Sequence, residues 1–305
     1  MRPFDLQVNG YAGVDFCSSS LTHDELQTAC EALKRDGVDN ILATVITDTV
    51  DSLVSKLSNL VKLREDNSLA QQLITGVHIE GPFLNPAPGY IGAHPPAAVV
   101  PATPDDARRL LDAAGGLTRM FTLAPEQDSG HATTRFLVEQ GVTVSAGHCN
   151  PSLSQLQGAI DAGLSMVTHF GNGCPVELPR HDNVLQRILA CRSDLWICFI
   201  PDGAHVNFFA LKNYLDLVGI DRSVMVTDCI SAATLGPGKH EVSGMVVEVD
   251  ADGVARRPGS VNLAGSTITM PGVQSNLAEH LGLDEPSIRQ LIDENPRRAV
   301  GMESR

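Results

Sequence analysis

No apolar run among the 305 residues approaches the roughly 20 that span a bilayer. The start, Met1-Arg2-Pro3-Phe4-Asp5, has no basic segment leading into an apolar one. Neither a membrane partner nor a cleaved signal peptide is therefore expected. Positive charge is scarce: 22 Lys and Arg stand against 36 Asp and Glu, a net charge of −14. Such an acidic chain with no Lys/Arg stripe repels a nucleic-acid backbone, which excludes a nucleic-acid partner. An anionic small molecule held by a few local cations stays compatible. Paired cysteines are also missing. The seven cysteines (Cys17, Cys30, Cys149, Cys174, Cys191, Cys198, Cys229) are odd in number and contain no C-x-x-C. This argues against a disulfide framework or a zinc finger, and it fits a reducing, cytoplasmic setting with the thiols as small buried hydrophobes. There is no internal repeat and no low-complexity tail.

What is present is an alternation. Short apolar runs rich in β-branched residues fall at Asp5–Val8, Asn40–Thr47, Ile74–Ile79, Arg119–Leu123, Thr143–Ala146, Met166–His169, Trp196–Ile200 and Val224–Thr227. Helix-like stretches lie between most of them. Thr22 with Glu25 reads as a capping box and Ser152 with Gln155 as its Gln variant, while Thr103-Pro104-Asp105-Asp106 gives a cap, a first-turn Pro and acidic residues. Gly37, Gly141 and Gly163 stand where helices should stop. Eight strands alternating with helices predict an α/β fold, a (β/α)8 TIM barrel, as a single domain over residues 1–305. An open doubly wound sheet is the alternative, weakened because no G-x-G-x-x-G follows the first strand. Alternating residues around Asp252-Gly253 predict a β-hairpin insertion at about 236–262, beside the barrel mouth. The stretch 285–300 reads as closing helices.

In such a barrel the site is built at the C-terminal strand ends. Here those ends carry Asn9, Glu80, His148, His169, Asp202 with His205, and Asp228. A catalytic divalent metal needs about three protein ligands and an open position, which Glu80, His148 and His169 can supply from three strands. Taken singly, each has a plainer reading: a hydrogen-bonded His, a Glu paired with an Arg, an Asp serving as a helix cap. His78, two residues before Glu80, points to the same side one layer down and is read as a core hydrogen-bonding group. Alternation turns Cys149 and Cys229 away from the site. Asp228 is placed to take a proton from water and later hand it to a leaving amine. Asp202 keeps its reading as a cap and is not counted as catalytic.

Further segments complete an ordered series: Gln7-Val8-Asn9-Gly10, Gly13-Val14-Asp15-Phe16, His78-Ile79-Glu80-Gly81-Pro82-Phe83-Leu84-Asn85, Gly92-Ala93-His94, Leu123-Ala124-Pro125-Glu126, Ser145-Ala146-Gly147-His148-Cys149-Asn150, Thr168-His169-Phe170-Gly171-Asn172, Asp202-Gly203-Ala204-His205-Val206, Val226-Thr227-Asp228, and Gly265-Ser266-Thr267-Ile268-Thr269-Met270. In this order they resemble the N-acetylglucosamine-6-phosphate deacetylases of the amidohydrolase superfamily. The resemblance implies Glu80, His148 and His169 as metal ligands, Asp228 as catalytic base and acid, and His94 and His205 as contacts to the sugar and the scissile amide. It also implies Asn172 and Gly173 on a phosphate-binding loop, and Arg180 as a phosphate-binding arginine that reaches across a homodimer interface. The fork of an Arg suits that task; without the resemblance Arg180 reads equally as a solvated loop residue. Gln7 and Asn9 stand where many amidohydrolases carry His-x-His, and amides are poor ligands for a soft divalent ion, so one metal is expected: zinc, or iron(II) or another divalent ion.

The chain departs from the family pattern in places. The accessory β-sandwich beside the barrel is expected to be missing. Ile91 stands where Lys is common, Gly173-Cys174 where Ala-Met is usual, and Cys229-Ile230-Ser231 where Ala-Thr-Ala is usual. The expected function is removal of the acetyl group from N-acetylglucosamine 6-phosphate, with the metal and His94 or His205 stabilising the oxyanion. The alternatives are an amidohydrolase acting on another N-acyl or cyclic amide, and an inactive sugar-binding barrel.

Overall fold

The structure is a computed structural model that describes residues 1–259 and 262–302. Eight parallel strands run in sequence order through one sheet: β1 (Phe4–Val8), β2 (Asn40–Ile46), β3 (Ile74–Glu80), β4 (Thr118–Leu123), β5 (Thr143–Ala146), β6 (Met166–Val167), β7 (Trp196–Phe199) and β8 (Ser223–Met225). Each falls on one of the eight apolar runs. The sheet closes rather than staying open. Val8 and Cys229 form a parallel bridge, the Asn9 amide donates to Cys229 O at 2.8 Å, and the Thr227 backbone and hydroxyl both donate to the Asp5 carboxyl.

The helices begin and end where short-range chemistry dictates. Both capping boxes are formed, at Thr22 with Glu25 and at Ser152 with Gln155, and Thr103 caps the helix that opens with Pro104. Gly37, Gly141 and Gly163 adopt φ of 78°, 76° and 104° at helix ends, where a side chain would be strained.

Alternate residues of each strand separate into two cores. Leu42, Met120, Met166, Cys198 and Val224 point into the barrel with Phe4 and Leu6, while Ile41, Phe121, Val167, Ile197 and Met225 pack under the helices. Two residues further along the inward faces comes a polar layer. Thr44, His78, Thr122, Thr168 and Ser145 are joined by hydrogen bonds of 3.3, 2.7, 2.7 and 2.7 Å in that order. His78 is thus the core hydrogen-bonding group anticipated from alternation, and this layer is the floor of the site above it.

Ala299 and Val300 plug the opposite end of the barrel. They end a continuous helical run in which Gln290–Glu294 makes a π turn between Glu285–Arg289 and Asn295–Ala299. The excursion after β8 is a three-stranded antiparallel sheet: β9 (Gly238–Val242), β10 (Met245–Val249) and β11 (Ala255–Arg256). The Asp-Gly turn links β10 to β11. An additional tight turn at Ser243-Gly244, both with positive φ, links β9 to β10. Of the expected hairpin span, residues 260 and 261 lie outside the described residues. No β-sandwich accompanies the barrel among the described residues, and no helix is long and apolar enough to cross a membrane. All seven cysteines are free.

Candidate metal centre and active site

Glu80 ends β3, and His148 and His169 lie two residues past the ends of β5 and β6. Parallel pairing keeps these strand ends at one rim, and the three side chains meet there, all buried. His169 Nε2 lies 3.1 Å from Glu80 Oε1 and 3.1 Å from His148 Nε2, and His148 Nε2 lies 3.4 Å from Glu80 Oε1. Donors about 2.0–2.2 Å from one tetrahedral cation stand about 3.3 Å or slightly more apart, close to the spacing found here. The donor chemistry fits as well. His148 Nδ1 donates to Tyr90 O at 2.8 Å, so its Nε2 carries the lone pair. Burial opposes ionising Glu80, but its contacts with His148 and His169 outweigh that and hold its carboxyl well below the usual range. The three residues could hold a metal ion.

The two carboxylates are clamped by amides from the first strand. Gln7 Nε2 donates to Glu80 Oε2 at 3.0 Å, and Asn9 Nδ2 donates to Asp228 Oδ1 at 2.7 Å. The residues that replace a His-x-His pair thus position the anionic groups. Asp228 follows β8 and is buried. Burial, and then the charge of Glu80, push its carboxyl up to about 6. His148, His169 and Asp228 have φ of 50°, 31° and 51°, three of the seven described non-glycine residues in the left-handed region. Backbone strain therefore concentrates at this rim.

Two more imidazoles border the cluster. His94 Nε2 lies 3.2 Å from His148 Nε2. Thr47 donates its hydroxyl to Glu80 O at 3.1 Å, so it accepts from His94 Nδ1 at 2.9 Å, and His94 faces the cluster with a lone pair. Burial, then His148, push His94 down to about 3, which keeps it neutral. His205, after β7, is held by Asp202, whose Oδ2 lies 2.6 Å from His205 Nδ1. Glu126 bridges two rim loops through one oxygen, accepting from Asn85 Nδ2 and the Asn150 amide. Gly92 packs against His148: a Cβ there would stand 2.9 Å from its Cε1. The clamps by Gln7 and Asn9, and the parts of Thr47, Asp202 and Glu126, escaped sequence reasoning. Only the Asp202-x-x-His205 spacing could have signalled one of them.

No model of a known protein family matches the chain. Individual relatives do. N-acetylglucosamine-6-phosphate deacetylase of Bacillus subtilis is 28% identical over 98% of this chain and 74% of its own length. N-acetylgalactosamine-6-phosphate deacetylase of Escherichia coli O157:H7 is 27% identical over 98% and 77%. Among solved structures, N-acetyl-D-glucosamine-6-phosphate deacetylase of Mycobacterium smegmatis, in complex with N-acetyl-D-glucosamine-6-phosphate, superposes with a TM-score of 0.89 at 30% identity over 99% of this chain and 77% of that one. The chain belongs to the N-acetylglucosamine-6-phosphate deacetylase family. As a member of this deacetylase family it is a metal-dependent amidohydrolase.

Of the residues that the deacetylase resemblance assigned to phosphate, Asn172 and Gly173 lie against the histidines of the cluster and Arg180 is exposed. The Asn172 amide accompanies His169, with its backbone N donating to His169 O at 3.1 Å. Gly173, at φ 62°, packs on the His148 ring and backbone. Arg180 is exposed on the same loop and forms no ion pair with a described residue. The geometry brings Glu80, His94, His148, His169, Gly173 and Asp228 together, with His205 beside them, and leaves Arg180 outside the group.

Proposed function

We propose that this chain removes the acetyl group from N-acetylglucosamine 6-phosphate, releasing acetate and glucosamine 6-phosphate. The observation that carries this reading is the buried Glu80–His148–His169 triangle of 3.1–3.4 Å beside a second buried carboxyl, Asp228, in a chain of this family. Glu80, His148 and His169 hold one divalent ion, zinc or alternatively iron(II). When bound, that ion acidifies water and polarises an amide carbonyl.

The chain's own groups do the rest. Asp228, with one oxygen fixed by Asn9, takes up a proton and delivers it to the departing amine. His94, whose lone pair faces the cluster, accepts a hydrogen bond from the substrate. This tautomer suits it less to the oxyanion-stabilising task expected from sequence. His205 contacts the sugar, and Asn172 and Gly173 line the phosphate loop. The resemblance assigns Arg180 to the partner's substrate in a homodimer, and light scattering of the purified protein tests that state. The seven free cysteines support a reducing, cytoplasmic setting.

The deciding experiment follows acetate release from N-acetylglucosamine 6-phosphate by protein reloaded with zinc or iron(II). The galactosamine epimer and unphosphorylated N-acetylglucosamine serve as comparisons. Turnover of the phosphorylated glucosamine derivative that a chelator abolishes is the expected result. Metal binding without turnover of any of the three would move the substrate to another amide.

A further inference from the structure

We infer that Asp202 is a positioning residue that fixes the tautomer of His205, so that His205 presents an unprotonated Nε2 to the substrate. The inference rests on the proposed reading that His205 contacts the sugar. Its own basis is a short, nearly buried hydrogen-bond set on the loop after β7. Asp202 Oδ1 accepts from the backbone amides of Ala204 at 2.9 Å and His205 at 2.8 Å, while Oδ2 lies 2.6 Å from His205 Nδ1. The side chains of His205 and Asp202 are only 6% and 13% exposed, so water cannot freely replace either partner.

The protonation states follow from the donors. Three N–H groups converge on one carboxyl, and an ionised carboxyl is acceptor-only. Burial opposes its ionisation, but the bonds from His205 and the backbone outweigh that and hold Asp202 below the usual range. An ionised Asp202 requires a proton on His205 Nδ1, because a lone pair there would face a carboxylate oxygen. In the neutral ring the second nitrogen is then an acceptor. Among the described residues no hydrogen bond reaches Nε2, so the acceptor nitrogen has no protein partner there. Three of the roughly four acceptor sites of the Asp202 carboxylate are taken up by these donors within its own loop. Asp202 acts through His205.

The Asp202→Asn variant tests this with little disturbance. The amide oxygen can still accept from Ala204 and His205, which retains the turn, but the NH2 group now faces Nδ1 and donates to it. The His205 proton must move to Nε2. Nitrogen-15 NMR of the imidazoles at pH 8.5, with His205 assigned by loss of its signal in His205→Gln, should find Nδ1 protonated in the parent protein and Nε2 protonated in Asp202→Asn. The same tautomer in both proteins would overturn the inference, and this readout needs no substrate.

Kinetics supply a second arm. Asp202→Asn should lower kcat/KM by on the order of 10- to 100-fold, the range for losing the partner that orients an imidazole. The double variant Asp202→Asn/His205→Gln should be no worse than His205→Gln alone. Losses that multiply would mean that Asp202 does not act through His205, and would also overturn it. A parent protein inactive on N-acetylglucosamine 6-phosphate would remove the substrate reading while leaving the tautomer result standing.

Discussion

Asp228 shows how little the proposed chemistry needs beyond placement. One oxygen accepts from Asn9 and the carboxyl is raised to about 6, so it can take and return a proton near neutral pH. Asp228→Asn keeps an acceptor for Asn9 and the shape of the site, but cannot take the proton. It should retain metal while turnover falls by about 10²- to 10⁴-fold, the share general acid–base catalysis supplies. Elemental analysis alongside acetate release checks both halves, and retained turnover would remove Asp228 from this role. Gly92 makes a different demand. Its φ is 59°, and a Cβ would stand 2.9 and 3.2 Å from His148 Cε1 and Nδ1, the latter being the atom that donates to Tyr90 O. Gly92→Ala should tilt the ring and weaken metal retention, so that chelator strips the ion sooner and excess metal restores part of the activity. Glu80, His148, His169 and Asp228 were legible in the sequence because a strand-end position follows from the strand alone. The Gln7 and Asn9 bonds were not, since each depends on which side chains approach within about 3 Å after closure, whereas the Asp202 bond was signalled only by its three-residue spacing from His205.

Among the elements, the barrel strands were legible because inward and outward apolar residues make a continuous run. Their caps and stops were written locally, in Thr22, Ser152, Thr103 and the helix-ending glycines. The turn at Ser243-Gly244 was passed over because Ser-Gly signals a tight hairpin less strongly than Asp-Gly does. The π turn at Gln290–Glu294 has no local signature, and it places Arg297 at the foot of the barrel. That side chain is 7% exposed, pairs with Asp293 at 3.0 Å and Asp39 at 3.1 Å, donates to Asn40 Oδ1 and Arg2 O, and lies over the Phe4 ring. It ties the closing helix to the starts of β1 and β2. Removing one partner of a buried pair leaves an uncompensated charge, so Arg297→Met should cost about 3–5 kcal/mol of stability. Because Arg297 sits at the end away from the metal cluster, kcat at 25 °C should be unchanged. Denaturant unfolding with steady-state kinetics on the folded protein tests both, and a matching loss of kcat would show that the two ends of the barrel are coupled.

At the scale of the whole molecule, the barrel exists only if the first and last strands meet, and their seam contains a buried carboxyl. Asp5 accepts from the Gln7 backbone and from the backbone and hydroxyl of Thr227, which is how β1 grips the end of β8. Burial is the larger influence, and it pushes Asp5 from 3.8 to about 7 despite those bonds. The sign follows from proton binding. Below about pH 4 the carboxyl is protonated in both folded and unfolded chains. Between pH 4 and 7 the unfolded chain releases the proton and the folded one keeps it, so stability falls as pH rises, and above about pH 7 the contribution has been lost. A shift of this size corresponds to roughly 4 kcal/mol. Asp5→Asn fills the same space and keeps an acceptor for the backbone amides, but does not titrate. In urea unfolding at constant metal, the parent protein should lose several kcal/mol more than Asp5→Asn between pH 4 and pH 8. Equal losses would place the titrating group elsewhere, and the seam would then be held by an ionised Asp5 whose hydrogen bonds outweigh its burial.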